Sequence, residues 1–239
     1  MQFTFGIITN NNINNVNIII NSIEELNIPN YEVIVVGSNI DLKRKNTTSI
    51  PFNETIYPGW ITKKKNIITK MAKYENIVYM HDYIILDKNW YNGFLKYGNT
   101  FDVVINPIQN LNGSRFRDWI LNINFLHGMK LMNGKRNTPI INAPDEWIQV
   151  NENVVKKYNI NINNQTHYLS YDDDGKNWQK YIYISGSYWV AKKYVMEEFP
   201  LNENLLHGQG EDVVWVQSLR NKYVISCNKE STSKLLKGK

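Results

Sequence analysis

Phe3-Thr4-Phe5-Gly6-Ile7-Ile8, then Ile13, Val16, Ile20, Ile23 and Leu26, then Tyr31-Glu32-Val33-Ile34-Val35-Val36: this order of apolar residues decides the fold. The first run is short, apolar and rich in Phe and Ile, which predicts a buried strand. The next five residues fall on one face at helical spacing, after a loop, Asn10-Asn11-Asn12, that offers a helix cap. Pro29-Asn30 ends that helix, and the β-branched run to Val36 is a second strand that stops at Gly37-Ser38. Strand, helix and strand so closely spaced make a βαβ unit with a parallel pair.

Working outward, a loop with Pro51 and Pro58 leads to a lysine-rich helix over about 62–74. The strand Ile77-Val78-Tyr79-Met80 runs into His81-Asp82-Tyr83, and Phe101-Asp102-Val103-Val104-Ile105-Asn106 predicts another strand. Residues 114–124 suit a strand or a helix, and 130–180 reads as irregular, polar and aromatic. Tyr181 to Gly186 is strand-like with a glycine stop, and Tyr188 to Ala191 extends the sheet. Glu211 to Arg220 is helical, and Tyr223-Val224-Ile225-Ser226 reads as the last strand. The tail from Lys229 to Lys239 reads as a solvated terminus; the alternative is a tail folded over a bound diphosphate.

The length, 239 residues and 28.1 kDa, fits one α/β domain or at most two small ones. Apolar residues at 42% and aromatics at 13% supply a sizeable core. No run approaches the ~18 apolar residues of a membrane span. The start Met1-Gln2-Phe3-Thr4 lacks a basic leader region, so a secretory signal is not expected and a cytoplasmic location is. One cysteine, Cys227, excludes a disulfide scaffold and a cysteine-rich zinc site. The net charge of +5 is mild, and lysines are spread along the chain rather than interleaved with aromatics, which argues against a nucleic-acid binder.

Two clusters carry chemistry. Lys63-Lys64-Lys65-Asn66 on a helix is followed by His81-Asp82-Tyr83 after a strand, and phosphate chemistry needs cations near an oxygen ligand at the C-terminal edge of a parallel sheet. The plain alternative is a solvated helix turn and a polar strand end. His207-Gly208-Gln209-Gly210-Glu211-Asp212 opens a helix, either as an acidic cap on the dipole or as a carboxylate at a rigid junction that accepts a proton. Arg115-Phe116-Arg117-Asp118-Trp119 offers Asp118 to sugar hydroxyls and Trp119 to a sugar face, or else forms a salt-bridged edge with a core tryptophan. Asp172-Asp173-Asp174-Gly175 lacks the ligand spacing of an EF-hand calcium loop and reads as a turn.

Taken together, these segments resemble the GT-A glycosyltransferases, which move a sugar from a nucleotide diphosphate to an acceptor. The resemblance is clear over about 1–95 and 181–226. It implies an α/β fold with a Rossmann-like, mostly parallel sheet flanked by helices, and a single domain over 1–239. Residues to about 110 would bind the nucleotide-sugar and those from about 111 the acceptor. Thr9, Asn10 and Asn11 fall at the first nucleotide loop, Gly37 and Ser38 at the end of the uridine-side strand. Lys65-Asn66 stands where the family commonly has Arg-Asn, and His81-Asp82-Tyr83 where it has its Asp-Xaa-Asp metal motif. Ser185-Gly186-Ser187 and Gly210-Glu211-Asp212 match the acceptor-side pair, with Asp212 as the base and Glu211 beside it. Arg115, Asp118, Gly186 and Trp215 complete the donor-sugar and acceptor set.

The metal motif departs from the family, because only its central position, Asp82, carries a carboxylate. Mn²⁺ or Mg²⁺ held by Asp82, the donor diphosphate and His207 is one expectation; a metal-independent site neutralised by lysines is the other. The implied activity is a hexosyltransferase using a UDP-sugar and a glycan or other hydroxyl acceptor, with inversion. The rival is a non-catalytic nucleotide- or carbohydrate-binding module on the same scaffold.

Overall fold

The computed structural model describes residues 1–38, 42–56, 59–122, 166–205 and 208–236. In chain order its first half comprises β1 (Phe3–Ile8), α1 (Ile13–Glu24), β2 (Tyr31–Gly37), β3 (Thr47–Pro51), α2 (Ile61–Met71), β4 (Asn76–His81), β5 (Ile84–Leu86) and α3 (Trp90–Tyr97). Then come β6 (Val103–Ile105), β7 (Ile108–Gln109), β8 (Ile120–Asn122), β9 (Thr166–Tyr168), a 3-10 turn (Lys176–Trp178), β10 (Ile182–Tyr183) and β11 (Tyr188–Lys192). The chain closes with α4 (Lys193–Glu198), α5 (Glu211–Leu219), β12 (Ile225–Cys227) and β13 (Ser233–Leu235).

Seven strands form the main sheet in the order β12-β6-β11-β4-β1-β2-β3. Pairing is parallel throughout except at β11, which is antiparallel to both neighbours. From β1 the chain steps outward to β2 and β3, then crosses back to β4 on the other side of β1. Such a reversal opens a crevice beyond the carboxyl ends of the strands, where open α/β sheets bind ligands. Because β11 runs the other way, its amino end, with Tyr188 opposite Met80, reaches that same edge. Two three-stranded sheets, β10-β8-β9 and β5-β13-β7, accompany the main one.

Alternation along β1 splits the core in two. Phe3, Phe5 and Ile7 face α1 and α3, meeting Val16, Ile20, Ile23, Trp90 and Phe94. On the other face α2 lies so close that a Cβ added at Gly6 would stand 2.4 Å from Cγ2 of Ile68. There Tyr79, Trp189 and Trp215 stack with ring centroids 5.0 and 5.1 Å apart. Asn12 caps α1 as its position predicts, accepting the Asn15 N–H at 3.2 Å.

Three expectations need correction. The Pro51 loop holds an additional edge strand, β3, whose half-exposed Thr and Ser residues hide it from an apolar count. The strand at 223–226 is not the last, and the tail is not a solvated terminus. Residues 233–235 form β13 between β5 and β7, with Ser231, Ser233 and Leu235 buried and Lys234 facing out. The Leu236 N–H also donates to the Tyr83 carbonyl at 2.9 Å, so the tail props the segment just after β4. Only alternate tail residues point inward, so its lysines give it a solvated look in one dimension. Ending the chain at Asn228 removes the burial of Leu235, a contact of the kind worth about 2–5 kcal/mol. The truncated chain is expected to unfold at a clearly lower denaturant concentration; an unchanged midpoint would show the tail to be dispensable.

Candidate active site

The site is built from loops that meet at the C-terminal edge of β1, β2 and β4. His81 is the last residue of β4 and Asp82 begins a turn, so the strict in–out alternation of a strand does not apply to it. Asp82 is instead turned over the end of β1: its N–H donates to the Ile8 carbonyl at 3.1 Å, and its Oδ2 accepts the Thr9 hydroxyl at 2.6 Å. Thr9 also accepts the Asn12 N–H at 3.0 Å, which ties the carboxylate to the cap of α1. Asn10 and Asn11 are on the exposed rim, Asn11 in the left-handed region at φ 67°. Gly37 ends β2 beside them, its carbonyl accepting the Phe52 N–H at 2.9 Å, and half-buried Ser38 follows.

The segment Ser185-Gly186-Ser187 arrives next to β4. The His81 N–H donates to the Ser187 carbonyl at 3.0 Å, and the Tyr83 and Ser187 hydroxyls share a 2.8 Å hydrogen bond. From the other side α5 begins after Gly210, whose φ of 75° places it in the left-handed region. Asp212 is locked there: Oδ2 accepts the Gly186 N–H at 2.7 Å and the Tyr183 hydroxyl at 2.8 Å, and Oδ1 accepts the Val213 N–H at 2.9 Å. Glu211 and Asp212 are each only 9% exposed. Burial, then the neighbouring Asp212, raises the Glu211 carboxyl above its usual range, with Lys65 opposing. Burial and Asp212 likewise push the Tyr183 phenol well up.

The three lysines go three ways. Lys63 pairs with Glu203 at 2.7 Å. Lys64 donates to the Thr9 carbonyl at 2.8 Å and forms an ion pair with Glu54. Lys65, 0% exposed, donates to the Gly186 carbonyl at 2.6 Å and lies 4.2 Å from the Trp189 ring centroid. Burial lowers its affinity for a proton while Glu211 and Asp212 raise it. The lysine run is thus no solvated face, and the Lys65 ammonium lies under Gly186.

Four more of the expected site residues, Asn66, Arg115, Asp118 and Trp215, are engaged in contacts within the fold. Asn66 is spent on the loop after α4: its amide donates to Leu201 O and Glu203 Oε1 at 2.9 and 3.0 Å, and its oxygen accepts the Leu201 N–H at 3.1 Å. Asp118 is fully occupied, accepting from Arg115, Trp119 N, Ile108 N and Tyr171. Arg115 in turn caps the Leu169 carbonyl at 2.8 Å and stacks 4.0 Å from the Tyr171 ring, so this pair acts as a structural clamp. Trp215 is 2% exposed, with its indole N–H on the Phe199 carbonyl at 2.7 Å, and cannot stack on an acceptor. The Asp172–Gly175 segment is the turn expected, Gly175 N–H closing on Asp173 Oδ1 at 2.8 Å. His207 lies outside the described residues. Sequence reasoning misses Tyr183, hidden in an ordinary alternating strand, and does not tell Lys64 apart from the two like charges beside it.

Among the described residues no three His, Cys, Asp or Glu side chains converge on a common point. A single carboxylate, Asp82, still suits a hard cation carried mainly by phosphate oxygens, since Mg²⁺ sites commonly use one or two carboxylates plus substrate phosphates.

A Rossmann-like half whose ligand edge is completed by an antiparallel strand and an acidic helix start is the GT-A fold. Among solved structures, the fragment 1–349 of S. aureus TarS superposes with a TM-score of 0.55 at 14% identity, over 98% of this chain and 60% of that one. Its complex with UDP-GlcNAc matches with a TM-score of 0.55, 14% identity and 100% and 60% coverage, and its complex with UDP with 0.53, 13%, 98% and 61%. The chain therefore spans about 60% of the length of these TarS fragments. No family model and no curated protein matches the sequence. Among the described residues no helix is long and apolar enough to cross a membrane.

Proposed function

We propose that this chain is a glycosyltransferase that moves a hexose from a UDP-sugar to a hydroxyl acceptor with inversion, residues to about 110 holding the donor and the rest the acceptor. The observation that carries it is the clamped carboxylate: Gly186 N–H and Tyr183 fix Asp212 beside the edge where Thr9 and Asp82 end β1 and β4. Asp212 takes the proton of the acceptor hydroxyl, the acceptor oxygen bonds to the anomeric carbon, and the bond to the diphosphate breaks with its electron pair leaving on phosphate. Attack opposite the leaving group inverts the centre. The UDP and UDP-GlcNAc complexes of the TarS neighbours favour uridine as the base. Uridine would sit against Thr9, Asn10, Asn11 and Gly37-Ser38. Asp82 would hold Mn²⁺ or Mg²⁺ against the diphosphate, and such an ion supplies positive charge to the leaving group.

The test is binding and turnover on one preparation. UDP is expected to raise the melting temperature more than ADP or GDP does, because a ligand stabilises the state it binds. Mn²⁺ is expected to tighten UDP in calorimetry, and Asp82→Ala to abolish that gain. Equal shifts for the three nucleotides would sink the uridine assignment, and equal UDP affinity in EDTA and Mn²⁺ would sink the metal. Binding of UDP without turnover of any donor would favour the non-catalytic module.

A further inference from the structure

Lys65 is a buried cation with no carboxylate within ion-pair distance among the described residues. Its ammonium has one hydrogen-bond acceptor, the Gly186 carbonyl at 2.6 Å, and lies over Trp189, the middle ring of the Tyr79–Trp189–Trp215 stack. Burying a charge is costly unless charge or hydrogen bonds compensate. Methionine would fill the same space on an aromatic face without that cost. What a methionine lacks is the positive charge, and the geometry shows where that charge acts. Gly186 stands between Lys65 and the base, its carbonyl on Lys65 and its N–H on Asp212 at 2.7 Å. A Cβ at Gly186 would lie 2.9 Å from Asp212 Oδ2 and 3.1 Å from Glu211 Oε1, so both carboxylates crowd the same residue.

We propose that Lys65 is a positioning residue for the catalytic carboxylate: from beneath Gly186 it holds the residue whose N–H clamps Asp212 and sets a positive charge behind the Glu211–Asp212 pair. This rests on the transferase reading above and replaces a donor contact for Lys65 with a role under the base. The groups facing the ammonium are Glu211 and Asp212 from α5, the carbonyl of Gly186 ahead of β11, and Trp189 on β11; Tyr183 from β10 reaches it only through Asp212. Arg117, ahead of β8, acts on Tyr183 from the outer side. On its own helix Lys64 turns away to Thr9 and Glu54.

The sign follows directly. An opposite charge favours the ionised carboxylate, so removing it moves protonation to higher pH, and a general base fails below the pH at which it takes up its proton. In Lys65→Met and Lys65→Gln, the acid limb of kcat/KM with UDP-GlcNAc is expected to move up by about one pH unit, a neighbouring charge being worth about 1–3. Activity recovers at high pH, UDP affinity by calorimetry stays within about twofold, about 0.3 of a pKa unit in free-energy terms, and Lys65→Arg restores the limb. A loss equal at every pH would make Lys65 merely structural, and a fall in UDP affinity would return it to the donor; either result overturns the proposal. Carboxyl NMR of labelled protein reads the coupling without turnover: the Glu211 midpoint should rise in Lys65→Met, and an unmoved midpoint overturns it. Absence of turnover in the parent protein would instead sink the transferase reading. Should neither Lys65 variant fold, Glu211→Gln reads the same coupling reciprocally. The Lys65 ammonium should then lose its proton at lower pH than in the parent, and no change overturns the proposal.

Discussion

Asp212→Asn is expected to lower sugar transfer about 10²–10⁴-fold, the usual contribution of a general base, while UDP affinity stays nearly unchanged. The affinity is spared on the proposed reading because the loops assigned there to the nucleotide, at Thr9 and Gly37, belong to other strands. The substitution is not silent for the fold. All three partners of the carboxylate are donors: the Gly186 and Val213 N–H groups and the Tyr183 hydroxyl. An amide offers one oxygen, so its NH₂ must face a donor on one side or the other. That mismatch at a buried site costs about 1–3 kcal/mol, so rates are to be compared below the lowered melting temperature. Glu211→Gln, at a carboxylate not locked by these donors, should lose less. A larger loss there, with Asp212→Asn within threefold of the parent, would transfer the base to Glu211.

The second large effect is expected at Gly186. Its backbone is not in the left-handed region, so alanine is not excluded by conformation. The exclusion is local, since a methyl group there would press on the Asp212 and Glu211 carboxylates at 2.9 and 3.1 Å. The carboxylates must shift by several tenths of an ångström, and displacements near 1 Å in a catalytic group cost about 10²-fold. Gly186→Ala should therefore lose about 10²-fold in kcat with UDP affinity and cooperative unfolding retained. Parent-like kcat in Gly186→Ala would mean that the carboxylates do not need the place they occupy here.

Much of the site's address is legible in one dimension. Asn10-Asn11 after an apolar run, Gly37-Ser38 after a β-branched one and His81-Asp82-Tyr83 after a third mark three strand ends, and parallel strands deliver their ends to one edge. Gly210-Glu211-Asp212 marks a helix start by its residue types alone. What each side chain does there is less legible. Arg115, Asp118 and Trp119 read equally as a sugar subsite or a clamp, and only the arrival of Leu169 and Tyr171 makes them a clamp. Trp215 lies on a helix whose residues are buried nearly all round, so no amphipathic stripe tells a core indole from one at a site.

The sequence by itself determines the period of each element, hence the parallel βαβ core, the two apolar faces of β1 and the places where loops leave the sheet. Period and local chemistry are properties of neighbours along the chain, and they need no partner to be read. Tertiary structure alone decides which of Lys63, Lys64 and Lys65 meets which group, because Lys65 finds Gly186 121 positions away and Lys63 finds Glu203 140 away. It alone inserts the tail as β13, and it alone turns Asp82 across β1. These contacts depend on how the chain crosses the sheet and which strand runs backward, and a residue's own surroundings in the sequence carry no record of either.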